Sequence, residues 1–225
     1  MSRPADDPLT DEALQIDHPQ VVRERRRTRR FFNLVAPAFH FIDRRLLPEY
    51  RQVLADLDLP PHLSVLDMAT GTGTLALAFA ERGHTVAGFD FSARLLRRAR
   101  RRLPHADLSI MDLSSAETIA DNAHDLVVMS YLLHGLHPSL RRFALEQARR
   151  ISRRYVLVFD YLGPGPLIVR FVEWIEGPHY PSFVQRPFAD LAAEAGLSIL
   201  VEEPVSRFAG YWLMRPAAQP DSQLS

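Results

Sequence analysis

The chain has 225 residues, with 27 basic and 27 acidic side chains, no cysteine, and arginine at every basic position. Without cysteine there is no disulfide framework, thiolate zinc site, iron–sulfur cluster or thiol nucleophile, and without lysine there is no Schiff base or amine base. An apolar content of 47% at this length predicts one domain with a real core, and zero net charge exerts no global pull toward nucleic acid or membrane.

Residues 1–20 carry Asp6, Asp7, Asp11, Glu12 and Asp17 against Arg3 alone, which reads as a flexible acidic tail. They hold no apolar stretch of the signal-peptide kind, and no run in the chain reaches the ~20 apolar residues of a spanning helix. A cytoplasmic location is the expectation. Residues 21–62 read as an N-terminal helical lid that opens on an arginine cluster at 21–30. That cluster is read as a solvated helix face, with contact to anionic lipid as the less favoured reading.

From residue 63 onward, short apolar runs alternate with helical patterns. The predicted strands are 63–67, 85–90, 107–111, 125–131 and 154–160, each rich in Val, Ile, Leu or Phe as buried strands are. Helices are predicted over 74–82, 92–103 and 139–151. Leu75, Ala78 and Phe79 share a face of the first, and Leu95, Leu96, Ala99 and Leu103 a face of the second. Ser92 is placed as an N-cap and Gly83 as a helix stop. The second helix also carries six arginines and no acid, another solvated face.

Residues 161–187 are long for a plain crossover and read as a lid insertion with Phe171, Trp174, His179, Tyr180 and Phe183. The mix of aromatic and acidic residues there suits an aromatic ring or a cationic amine, and the same aromatics could equally be a helix packing on the sheet. A last helix is expected at 188–195, then strands 197–203 and 208–214 joined too closely to be parallel. Residues 216–225 read as a second tail. The fold class that follows is α/β: a Rossmann-like three-layer sandwich whose seven-stranded sheet is mostly parallel, with one antiparallel strand near the edge, over 63–215.

The most informative stretch is Val65-Leu-Asp67-Met-Ala69-Thr-Gly71-Thr-Gly73-Thr-Leu-Ala76: an apolar strand, an acid at its carboxyl end, a glycine turn and a helix. Open α/β sheets bind ligands at that end of their strands, and glycine there lets the backbone approach a ligand. Asp90 ends the next strand and is placed to accept both hydroxyls of a ribose. Gly71-x-Gly73-x-x-Ala76 also fits the dinucleotide fingerprint of an NAD(P)-dependent oxidoreductase. Asp67 speaks against that, because a carboxylate beside a pyrophosphate repels it and a cationic cofactor would welcome it.

Residues 63–160 resemble the class I S-adenosylmethionine-dependent methyltransferases. Asp67-Met-Ala-Thr-Gly-Thr-Gly73 is most similar to the variant in the ubiquinone/menaquinone-biosynthesis C-methyltransferases. Gly88-Phe-Asp90-Phe-Ser92, Ile110-Met-Asp112-Leu113 and Asp125-Leu-Val-Val-Met-Ser130-Tyr-Leu-Leu-His134 follow in the family's order and spacing. The resemblance implies methyl transfer from S-adenosyl-L-methionine to a small-molecule acceptor. It implies that Asp67, Ala69, Gly71 and Gly73 hold the methionine part of the cofactor and that Asp90 takes the ribose. Phe91 then lies against adenine, with Asp112 and Leu113 beside its amino group, and Ser130 and Tyr131 border the methyl. Asp112 could also be a plain helix cap.

One departure from the family stands out: Phe39 and His40 occupy places where Tyr and Asp are frequent. Both are assigned with Trp174 and Tyr180 to the lid and substrate side. Among proton acceptors, His134, Tyr131 and His179 are the catalytic candidates, with His137 and His40 behind them; a structural role stays open for each. His134-x-x-His137 lacks a third ligand, so no metal is expected. A lipid-amine methyltransferase working at a membrane surface is the other alternative.

Overall fold

The computed structural model describes residue 17 and residues 21–23, 26–28, 39–163 and 179–217, with the backbone alone for 39–41. Trp174 and most of the two tails lie outside the described residues. Helix α1 (Phe39–Asp56) comes first. Seven strands follow: β1 (Ser64–Met68), β2 (Thr85–Asp90), β3 (Asp107–Ile110), β4 (His124–Ser130), β5 (Ser152–Tyr161), β6 (Leu197–Pro204) and β7 (Ala209–Pro216). Helices α2 (Thr74–Glu81), α3 (Ala93–Arg102) and α4 (Pro138–Ile151) connect the parallel strands. Helices α5 (Tyr180–Val184) and α6 (Phe188–Glu194) precede β6.

The strand order is β3-β2-β1-β4-β5-β7-β6. The pairs β1–β2, β1–β4, β2–β3 and β4–β5 are parallel, and β7 runs antiparallel to both neighbours. Parallel pairing follows from the helical crossovers, and the antiparallel strand from the short β6–β7 connection. The order reverses between β1 and β4, which opens a crevice at the carboxyl ends of the central strands.

The core divides by strand alternation, because successive side chains point to opposite faces. Val65, Leu126, Val128, Leu157 and Phe159 pack with α1, α2 and α3. Leu66, Val127, Met129, Val156 and Val158 pack with α4, α5 and α6 on the other face. There Trp212 of β7 stacks on Phe188 with ring centroids 4.0 Å apart. The helix starts answer to local chemistry. Ser92 accepts from the Leu95 N–H at 3.2 Å, and His137 Nδ1 from the Ser139 N–H at 3.3 Å, with Pro138 beginning α4 where no donor is needed.

Two short 3₁₀ turns lie outside the expected elements. Leu113–Thr118 follows β3, with Asp112 as its N-cap, and Leu133–Gly135 follows β4. Among the described residues no helix is long and apolar enough to cross a membrane.

Candidate active site

Three strands carry an aspartate at or next to their carboxyl end: Asp67 on β1, Asp90 on β2 and Asp160 on β5. All three are almost fully buried at the carboxyl end of the sheet. The turn from β1 into α2 winds past the first two. Ala69 has φ 58°, Gly71 φ 57° and Gly73 φ 74°, so three of its residues are left-handed. Asp67 lies behind this turn, where its Oδ2 accepts from the Thr70 hydroxyl at 2.7 Å and its carboxylate also accepts from the Ala76 N–H. It thereby caps α2, whose N-cap residue Gly73 has no side chain to do so. Asp90 accepts from the Gly71 N–H at 2.9 Å and from the Ser92 N–H at 2.7 Å.

Burial raises both carboxyl groups. Asp67 is pushed up to about 7, against the lowering effect of its Thr70 and Ala76 bonds, and the Asp90 charge adds to the rise. Asp90 is pushed up to about 6 against its two backbone bonds. Among the described residues no basic side chain contributes to either shift.

The two glycines of the turn have different reasons to be glycine. A Cβ on Gly71 would meet only Leu95 Cδ1, at 4.0 Å. A Cβ on Gly73 would come within 3.0 Å of both Ala99 Cβ and Leu103 Cδ1. Gly71 faces open space, and Gly73 lets α2 close on α3. Gly88, in the middle of β2, plays a similar packing part: its Cβ would lie 3.1 Å from the Asp67 carbonyl oxygen and from Thr70 Cβ.

Beside Asp90 opens a cleft of about 800 Å³ of empty space, its mouth included. Ala69, Asp90, Phe91, Asp112 and Leu113 line it together, five of the positions expected at the cofactor. Met111 and Phe89 complete that end. The other end is walled by Leu132, Leu136, His137, Leu140 and His179, with Val21, Arg27 and Thr28 from the N-terminal segment. Asp112 lines the cleft and caps at the same time, since its Oδ1 accepts from the Ser114 N–H at 3.1 Å.

Asp67, Gly71, Gly73, Ser130, Tyr131, His134 and Tyr180 are not among the residues lining this cleft. The last four gather instead at the ends of β4 and β5. Ser130 shares a hydrogen bond with the Tyr50 hydroxyl of α1. Tyr131 follows with φ 47°, a left-handed conformation that costs a non-glycine residue energy, and its N–H donates to the Phe159 carbonyl at 2.8 Å. Burial and the nearby Glu49 and Asp160 charges push its phenol well above the ordinary range. His134 Nδ1 lies 2.7 Å from Asp160 Oδ1. The Asp160 carboxylate also accepts from the N–H groups of Leu133, His134 and Tyr161. The His134 ring is edge-on to Tyr161 at 4.8 Å, and Tyr161 to Tyr131 at 5.4 Å and to Tyr180 at 5.2 Å. The result is a buried carboxylate–imidazole pair inside a wall of three tyrosines.

His137 works as a helix cap, and its ring lies 5.1 Å from that of His179. Arg141 escaped the sequence reading. It is 2% exposed, and its guanidinium donates to the carbonyls of Leu133, Leu136 and His179. It ties the turn that carries His134 to the end of the 161–187 segment. Phe39 and His40 begin α1, and their side chains lie outside the description. Asp160 was legible in retrospect, because it lies at or next to the end of its strand, as Asp67 and Asp90 do.

Known proteins agree with this architecture. Residues 65–154 match the family described as a methyltransferase domain. The demethylmenaquinone methyltransferase of Renibacterium salmoninarum is 30% identical over 129 residues, 56% of this chain and 54% of that protein. The enzyme of the same name from Paenarthrobacter aurescens is 31% identical over 54% of this chain and 49% of that protein. The chain thus spans about half the length of the curated relatives it matches. Among solved structures, a Burkholderia thailandensis 1,6-didemethyltoxoflavin-N1-methyltransferase superposes with a TM-score of 0.67 at 17% identity, covering 95% of this chain and 94% of that one. A SAM-dependent methyltransferase from Aquifex aeolicus gives a TM-score of 0.58 at 16% identity, covering 73% and 88%. The chain has the class I S-adenosylmethionine-dependent methyltransferase fold. Within that class its sequence is similar to the demethylmenaquinone group.

Proposed function

We propose that the chain is an S-adenosylmethionine-dependent methyltransferase acting on a small-molecule acceptor by in-line displacement. The observation that carries this reading is the pair Asp67 and Asp90: two buried carboxyl groups, both raised, with no basic side chain among the described residues acting on either. A cationic ligand relieves that arrangement, whereas the pyrophosphate of a dinucleotide aggravates it. The same observation disfavours the oxidoreductase alternative.

In this reading the adenosine end occupies the cleft beside Asp90, which accepts from the ribose hydroxyls. Phe91 covers the adenine face, with Asp112 and the Leu113 backbone at its edge. Gly71 leaves room for the ligand to meet the turn, and Ala69 lies alongside. Asp67 acts from behind, shaping the turn and supplying negative charge. When bound, the cofactor supplies a methyl group on a sulfonium, with a neutral thioether as leaving group.

The protein's task is then to align the acceptor and exclude water. Val21, Arg27 and Thr28 of the N-terminal segment, with His179, wall the far end of the cleft. Ser130, Tyr131, Tyr161 and Tyr180 wall the acceptor side. For an acceptor that loses a proton at attack, His134, oriented by Asp160, takes that proton. His179, on the wall of the cleft, is the second candidate.

Calorimetric titration tests the reading. S-adenosylmethionine and S-adenosylhomocysteine should bind, and a nicotinamide dinucleotide should not; the reverse order would overturn it. Replacing Asp90 with Ala removes the ribose acceptor and should weaken binding by about 30-fold or more, a charge-assisted bond being worth ~2 kcal/mol or above.

A further inference from the structure

The departure at Phe39-His40 leaves α1 without the acid expected at residue 40, yet an acid does reach the cofactor turn from this helix. Asp43, one turn further along, accepts from the Thr72 hydroxyl at 2.5 Å and from the Thr74 hydroxyl at 2.7 Å, both onto Oδ1. Arg102, at the end of α3, completes the cluster. Its Nη1 lies 3.5 Å from Asp43 Oδ2 and donates to the Thr74 hydroxyl at 2.9 Å and the Thr72 carbonyl at 3.2 Å. Thr72 and Thr74 are both buried.

The turn is therefore pinned by three carboxylates from three elements. Asp67 of β1 holds Thr70 and Ala76, Asp90 of β2 holds Gly71, and Asp43 of α1 holds Thr72 and Thr74. Two of the three belong to the sheet and are fixed with it. Asp43 alone comes from a helix outside the sheet. The same helix is anchored a second time, seven residues on, where the Tyr50 hydroxyl bonds Ser130 and its ring meets Phe159 edge-on at 4.9 Å. Seven residues of helix span roughly 10 Å. So α1 bridges the cofactor turn and the residue just before Tyr131, the two halves of the site.

We propose that Asp43 is a positioning residue: through the hydroxyls of Thr72 and Thr74 it holds the Gly71–Gly73 turn in its ligand-accepting shape, so that cofactor affinity depends on α1 being docked. The inference rests on the cofactor reading above. A turn with three left-handed residues has no regular hydrogen-bonded ladder to maintain it. Hydrogen bonds to an ionised acceptor are the short, strong ones, and here they replace that ladder.

The test is calorimetry with S-adenosylhomocysteine on the full chain, with hydrogen exchange at the amides of residues 70–76. Asp43→Ala should raise the dissociation constant about 10-fold and speed exchange in the turn. Asp43→Asn, which keeps an acceptor oxygen, should recover a good part of the affinity. Thr72→Val, which removes one of the two hydroxyl bonds to Asp43, should lose part of the same affinity, and the double variant should be no worse than Asp43→Ala alone, because the Thr72 bond is already gone there. Arg51→Gln, two turns beyond Asp43 on α1, breaks an exposed ion pair to Glu81 at the far end of α2 and should leave affinity unchanged. Additive losses, no rescue by Asn, or an unchanged dissociation constant in Asp43→Ala would each overturn the proposal. If Asp43→Ala does not fold, the Thr72→Val and Thr72→Ser pair decides: loss with Val and retention with Ser supports it, equal affinity in both refutes it. Failure of the unsubstituted chain to bind at all would instead refute the cofactor reading.

Discussion

Cofactor binding should depend steeply on pH. The perturbation is protonation of Asp67 and Asp90, whose carboxyl groups stand at about 7 and about 6 in the unliganded chain. Binding a cation favours their ionised forms, so the ligand must displace whatever protons they hold. If both carboxyls fall below the working range on binding, S-adenosylmethionine affinity should drop about 100-fold between pH 7.5 and pH 5.5. If Asp90 alone is coupled to the ligand, the drop is about 3-fold to 4-fold. Near pH 6.5, full coupling releases about one proton per ligand bound, measurable by calorimetry in buffers of different ionisation enthalpy. The stability of the unliganded chain has the matching sign. Between the unfolded aspartate range and these raised values the native chain holds more protons than the unfolded one. Its stability therefore falls as pH rises through 6 and 7. Ligand-induced gains in melting temperature should grow over the same interval. A dissociation constant that is flat from pH 5.5 to 7.5, or tighter at the acid end, would refute the carboxylate-pair reasoning.

Three further outcomes separate ligand chemistry from packing. Gly71→Ala and Gly73→Ala should differ in kind: the first should keep most of its stability and lose cofactor affinity, while the second should lose about 2–3 kcal/mol in urea unfolding, because its Cβ has only 3.0 Å to Ala99 and Leu103 at a positive φ. Equal stability in the two would contradict the packing assignment. Asp160→Ala strands the buried N–H groups of Leu133, His134 and Tyr161 and should cost about 2–4 kcal/mol by the same measurement, against under ~1 for exposed Arg51→Ala. Arg141→Met should also cost about 2–4 kcal/mol, since three carbonyls lose one buried donor group. A loss below 0.5 kcal/mol, on the order of an ordinary surface substitution, would show those carbonyls finding other partners.

The fold was legible because its signals are local. Seven short apolar runs, each bounded by a turn or helix signal, became seven strands with ends within about two residues of expectation. Asp67, Gly71 and Asp90 were visible for the same reason: strand, acid, glycine turn and helix lie within one stretch of chain. What stayed hidden depends on which strands become neighbours. His134 and Asp160 meet only because β4 and β5 pair in parallel, with Ser130 opposite Phe159, and nothing within either segment announces the pair. Arg141 carries no local signal, and it matters because it lies against the β4 turn, where carbonyls need a donor. Gly73 seemed a ligand-facing glycine by analogy with Gly71, and the reason it must lack a side chain is a helix that begins twenty residues later. Asp43 and Tyr50 carry no motif at all, and their parts emerge only once α1 is seen to cross the carboxyl ends of the strands.

The arrangement of charge around the turn explains how a fold shared with dinucleotide enzymes can select a cation. A turn entering a helix offers unpaired N–H groups, and those alone attract anions. Here part of that offer is withdrawn. Asp67 takes the Ala76 N–H, Asp90 takes the Gly71 N–H, and the hydroxyls of Thr72 and Thr74 are committed to Asp43. Among these carboxylates only Asp43 has a guanidinium against it, and that guanidinium is held on the α3 side of the turn. Negative charge left uncompensated is thus concentrated at β1 and β2, beside the cleft that Asp90 lines. At the Asp90 end of that cleft a phosphate would meet two repelling acids, while a sulfonium or ammonium would meet counter-charge; Arg27, the basic residue among those lining the cleft, comes from the N-terminal segment.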